Sequence, residues 1–194
     1  YSSTGLCLIS YLSSVTGVFP FPISKCLRQV LQIPASTRKS GRSSFVTYSE
    51  FLEELTPYAE ADFAKFQQRI INSPSQEFLG IRTPTMRLLA KRHKNDPETL
   101  FSFPDRYYEV TFIKLSAASQ LPYGQFCAYL DRCVSLIDNW ALCDCFKPAC
   151  LKKHLDDFLP LLENVFAHGG EFYQRYALVT LLGYYVEEKY LSLI

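Results

Sequence analysis

A chain of 194 residues, 48% hydrophobic and 15% aromatic, can bury one substantial core and is too apolar to remain disordered. Its formal net charge of +1 excludes attraction to nucleic acid through uniform basicity, so any such site has to come from local clustering. Residues 1–47 carry five Lys and Arg and no acid, which leaves 15 basic against 19 acidic residues in the remainder.

Residues 1–46 read as a leader or other non-domain segment. The chain opens on Tyr, as a fragment or a processed chain would. The Ser-rich, acid-free composition with Lys25, Arg28, Arg38, Lys39 and Arg42 is that of an organelle transit peptide, and a non-native leader fits equally. The apolar run 6–19 is interrupted by Ser and Thr and is too short for a membrane span. Seven cysteines are an odd number, and five lie within helical patterns. They read as reduced, buried thiols in an intracellular compartment: cytoplasm, nucleoid, nucleus, or an organelle if the leader is a transit peptide.

From Thr47 to Ile194 the pattern is helical. Thr47-Tyr-Ser-Glu50 matches a capping box, with Phe51 and Leu55 opening an apolar stripe. Pro57 restarts a helix through Phe63, Phe66, Ile70 and Ile71. Thr83-Pro84 and Asp96-Pro97 both read as an N-cap followed by proline at the first helical position. Between them, Met86, Leu88, Leu89 and Ala90 form a buried side. The spacing predicts further helices over 107–119, 123–136, 139–153, 155–168 and 171–190, with Gly169-Gly170 closing the one before the last. No segment alternates with period two, so a sheet is not expected. Short connections between helices of this length suggest antiparallel pairs stacked as an α-solenoid or an irregular bundle.

Three stretches are candidates for chemistry. Arg82, Arg87, Lys91, Arg92 and Lys94 lie in a window without any acid; Arg87 and Lys91 are one helical turn apart, a repulsion that a nearby phosphate backbone would relieve and that a solvated face would also tolerate. Arg175 heads an apolar helix, where a cation opposes the dipole and calls for a partner, Glu171 or an anion in a cleft. In Ile137–Phe146, Trp140 and Asp144 are four apart and project from one helix face, with Asp138 as the N-cap and Asn139 as the alternative. An aromatic–acid pair of this kind is either core packing or a site. Cys143, Cys150 and His154 follow an i, i+7, i+11 spacing that a zinc ion would use, without a C-x-x-C pair or an evident fourth ligand. No Gly-rich phosphate loop, nucleophile elbow or His–acid pair is present.

Four blocks then stand in order: Gly80-Ile-Arg-Thr-Pro-Thr-Met-Arg-Leu-Leu-Ala-Lys91, Tyr107-Tyr-Glu-Val, Ile137-Asp-Asn-Trp-Ala-Leu-Cys-Asp144 and Gln174-Arg-Tyr-Ala-Leu-Val-Thr-Leu-Leu182. Together they resemble the DNA alkylation repair family, the HEAT-like-repeat alkylpurine DNA glycosylases, over approximately 47–194. The resemblance implies an all-α superhelix of antiparallel helix pairs cupping damaged duplex DNA, and hydrolysis of the N-glycosidic bond of alkylated purines of the 3-methyladenine or 7-methylguanine type. It implies no metal and no cofactor, and the protein is expected to act as a monomer without a membrane. By the same resemblance Asp144 and Trp140 lie against the damaged nucleotide and Arg175 contacts DNA nearby. The chemistry of a cationic leaving base then assigns Asp144 to stabilising charge and placing water, and the charge clustering sets Arg82, Arg87, Lys91, Arg92 and Lys94 beside Arg175 on phosphates. Family members continue past the position of Ile194 with further helices, so the chain is expected to be truncated at its C-terminus. The rival expectation is a non-catalytic HEAT-like scaffold that binds nucleic acid or protein.

Overall fold

The computed structural model describes residues 46–71 and 73–191. The leader reading, apart from Val46, and the chain beyond Leu191 lie outside the described residues. Within them the fold is all-helical and superhelical in class, without a strand, and one isolated bridge joins Glu77 to Tyr107.

Helix α1, Tyr48–Leu55, opens with the capping box: Thr47 Oγ1 accepts from Glu50 N, and the Glu50 carboxylate accepts from Thr47 N at 2.7 Å. Two of the four free amides of the first turn are satisfied in this way. Phe51 and Leu55 are fully buried, each contributing about 1.5–3 kcal/mol of apolar burial. Pro57 lies in a 3-10 turn, Thr56–Tyr58, and helix α2 begins only at Ala61, running to Ile71. Helix α3 is Thr83–His93 and α4 is Pro97–Ser102. Asp96 caps α4 by accepting from Thr99 N. Thr83 does not cap α3: it is already helical, Arg82 occupies the extended cap position, and no side chain takes the cap bond.

Helix α5, Tyr108–Ala118, is the hub. It packs against α3 and α4, and against α6 (Tyr123–Ser135) and α7 (Trp140–Cys145). Ten of its residues are buried, among them Glu109, Thr111 and Lys114. Buried charges persist only when paired and hydrogen-bonded. Lys114 Nζ donates to Asp105 Oδ1 at 2.8 Å and to the Phe103 carbonyl. The Glu109 carboxylate accepts from the backbone N–H groups of Leu79, Gly80 and Ile81 at 3.0, 2.8 and 3.2 Å. This knot fixes the entry to α3. Gly80 adopts φ +82, and a Cβ there would fall 2.1 Å from the Glu60 carbonyl oxygen, so only glycine lets α2 and the loop approach this closely.

Helices α8, Leu155–Ala167, and α9, Glu171–Tyr184, form a hairpin across Gly169 and Gly170, whose φ values of +77 and +94 give the left-handed stop expected of them. Helix α9 also packs on α6 and α7. The span 171–190 is not one helix: it ends at Tyr184, and α10, Glu188–Leu191, starts afresh. Nor is 139–153. Helix α7 stops at Cys145, and a 3-10 turn, Ala149–Lys153, follows. The cause is Pro148, which disfavours helical backbone at Lys147 and has no N–H for the ladder.

Candidate active site

The site is built on α7. Asn139, not Asp138, is its N-cap: the Asn139 side-chain oxygen accepts from Leu142 N at 3.0 Å. Asp138 is used elsewhere, accepting from the hydroxyls of Ser73 and Ser75 and from Asn139 Nδ2 at 2.7 Å. It thereby ties the α2–α3 connection to the start of α7. Ala141, Leu142 and Cys143 are buried. Burial pushes the Cys143 thiol up to about 11, with the Asp144 charge adding and Arg175 opposing. Trp140 and Asp144 keep the helix's open face.

Trp140 is 43% exposed, and its indole N–H donates to the Ile70 carbonyl at 3.4 Å. The Asp144 carboxylate takes Arg175 Nη2 with both oxygens at 3.0 Å, the two side chains being 40% and 41% exposed. Arg175 thus reaches from the first turns of α9 to the last turn of α7. Its Nε is buried without a partner, and its ion pair is with Asp144 and not with Glu171.

Asp144 also lines an open cleft of about 430 Å³. The cleft's other lining residues are Arg87 and Lys91 of α3, Ser116, Ser119 and Gln120 at and just after the end of α5, and Cys145 and Lys147 at and just after the end of α7. Burial raises the Cys145 thiol; Arg87 and Lys147 pull it down and Asp144 adds to the rise.

The basic window splits. Arg87 and Lys91 enter the cleft. Arg82 is turned away, bound to Glu60 at 3.0 and 2.8 Å with its guanidinium 3.8 Å over the Phe63 ring. Arg92 is paired with Glu54, which also meets His93, and Lys94 is the half-buried C-cap of α3. The zinc spacing does not survive, because it assumed one continuous helix across 143–154. His154 stacks on Tyr123 with centroids 4.2 Å apart, and among the described residues no three His, Cys, Asp or Glu side chains are grouped to hold a metal. Lys147 was missed in the sequence; its signal was the proline after it, which ends α7.

The all-helical architecture and the cationic cleft beside Asp144 set the frame for comparison with known proteins. The family model described as DNA alkylation repair enzyme matches residues 51–193, and the chain belongs to that family. No curated protein and no solved structure matches it.

Proposed function

We propose that the protein is a DNA glycosylase acting on alkylated purines of the 3-methyladenine or 7-methylguanine type in duplex DNA. The observation that carries this reading is the Asp144 carboxylate, held by Arg175 from one side and open to a cationic cleft on the other. Alkylation at N3 or N7 makes the purine cationic, so the C1′–N bond breaks with its electron pair leaving on a neutral base, and little acid catalysis is required. The demand is at the sugar. Asp144 faces the developing oxocarbenium ion and orients the water that adds at C1′, taking up the proton that the water loses. Trp140, one turn back on the same face, packs against the nucleotide or its positive charge. Arg175 keeps the carboxylate aimed, as a preorganised partner does. No flipped-out pocket is needed for this chemistry if the lesion stays stacked. The site needs one chain and no cofactor, and its reduced thiols suit an intracellular compartment.

A scaffold reading is favoured by the same ion pair, because Asp144–Arg175 also bridges α7 and α9. Release of 7-methylguanine from methylated duplex separates the two. The wild-type protein should release it, and Asp144→Asn should slow the single-turnover rate by about 10²–10³-fold. Equal rates for both proteins would sink the role given to Asp144, and DNA binding with no release by either would establish the scaffold.

A further inference from the structure

Lys147 is the one cleft cation that no helix presents. It sits between buried Phe146 and buried Pro148, on a loop pinned at both ends. Phe146 N donates to the Leu142 carbonyl and Ala149 N to the Ser119 carbonyl, while the Tyr184 hydroxyl donates to the Pro148 carbonyl at 3.0 Å. The Phe146 ring is wedged against Phe126 and Tyr176. A backbone so fixed has little freedom of its own to lose when Lys147 engages a ligand.

The charge balance of the cleft says what that ligand is. Arg87, Lys91 and Lys147 line it, and its single acid, Asp144, is already matched by Arg175. Among the described residues none of the three cations is in an ion pair, whereas Arg82, Arg92, Arg106 and Arg132 each hold a carboxylate. The other lining residues, Ser116, Ser119, Gln120 and Cys145, bring no carboxylate. Three uncompensated positive charges around one open cleft, unscreened by local carboxylates, suit an anion of fixed spacing.

We infer that Lys147, with Arg87 and Lys91, forms a phosphate subsite that seats the backbone of one DNA strand immediately beside Asp144. Phosphate contacts fix register without reading sequence. Lys147 follows Asp144 by three residues, so the phosphate it holds belongs to the nucleotide being processed or its neighbour. It is a positioning residue: it sets which sugar faces Asp144 and touches no reacting atom. The subsite rests on duplex DNA being the partner and does not depend on the glycosylase chemistry.

The test is binding of a short undamaged duplex, followed by fluorescence anisotropy across a series of NaCl concentrations. Wild type, Lys147→Ala, Lys147→Arg and, as a control on a cation outside the cleft, Lys65→Ala are compared. Lys147→Ala should bind about tenfold more weakly at low salt, and the slope of log K against log salt should become shallower by about 0.9. Lys147→Arg should restore the slope, and Lys65→Ala should match wild type. An unchanged slope and affinity for Lys147→Ala overturns the subsite, while no duplex binding by the wild type overturns the DNA reading beneath it. Inorganic phosphate, added at constant ionic strength, should leave the bound duplex in place; its displacement by millimolar phosphate would make the cleft a free-phosphate site instead.

Discussion

Among the described glycines, Gly80 is the one where an added Cβ meets backbone most closely, which makes Gly80→Ala a severe small change. The added methyl would fall 2.1 Å from the Glu60 carbonyl oxygen and 2.7 Å from Ala64 N, both backbone atoms of the α2 entry, at φ +82. Neither neighbour is a flexible side-chain end that can step aside. Left-handed backbone costs an L-residue about 1–2 kcal/mol, and forcing α2 away costs about 1–3 kcal/mol more. A loss near 3 kcal/mol is a large part of the total stability of a domain this size. It corresponds to a urea midpoint lowered by about 1–2 M and a Tm lowered by roughly 10 °C. Gly124→Ala supplies the control, since its Cβ meets nothing within 4 Å and its φ is ordinary; that variant should gain about 0.5 kcal/mol. Urea unfolding followed by circular dichroism measures both. A Gly80→Ala protein within about 0.5 kcal/mol of wild type would refute the steric account of the α2–α3 approach.

Glu109→Gln should cost about 1–3 kcal/mol, because one of the three loop N–H donors would then face an amide N–H₂. Its pH signature has a defined sign. Burial holds the Glu109 carboxyl above its ordinary value, against the pull of the backbone N–H groups. The folded state keeps this proton to higher pH than the unfolded chain, so the group's contribution to stability declines as pH rises from the ordinary carboxylate range through the raised value, then levels off. Unfolding free energies of wild type minus Glu109→Gln, taken over about pH 4 to 8, should show that decline; a flat difference would count against it. For the thiols, a maleimide with peptide mapping at neutral pH should label Cys145 and spare buried Cys143, whose thiolate is pushed out of reach to about 11. Bound duplex should slow the Cys145 reaction, and unchanged labelling in its presence would place the DNA elsewhere.

Local signals were readable in the sequence wherever a residue and its partner lie within one turn. Thr47 with Glu50, Asp96 with Thr99, and Gly169-Gly170 all behave as their spacing implies. The Trp140–Asp144 juxtaposition follows from helix geometry alone. What periodicity cannot supply is the partner from far along the chain. Asp138 was as good a cap as Asn139 until Ser73 and Ser75 claimed it. Arg82 and Arg92 looked equivalent to Arg87 and Lys91 until Glu60 and Glu54, 22 and 38 residues earlier, drew them off. Glu109 and Lys114 on α5 violate any amphipathic pattern, because that helix is enclosed on all sides and its charges are met by loop backbone and by Asp105. The break at Pro148 was available in the sequence and outweighed by the apolar run around it.

Helix α7 has only six residues, with Trp140 at one end and Asp144 one turn on. Their separation is therefore a single helical pitch step of about 6 Å, a length set by peptide geometry and not by packing. The other groups of the site are placed by contacts between distant parts of the chain: α9 packs on α6 and α7, and the loop bearing Lys147 is tied to Ser119 and to Tyr184. Variants that weaken those contacts should change how often a nucleotide is captured while leaving the backbone step between Trp140 and Asp144 as it is.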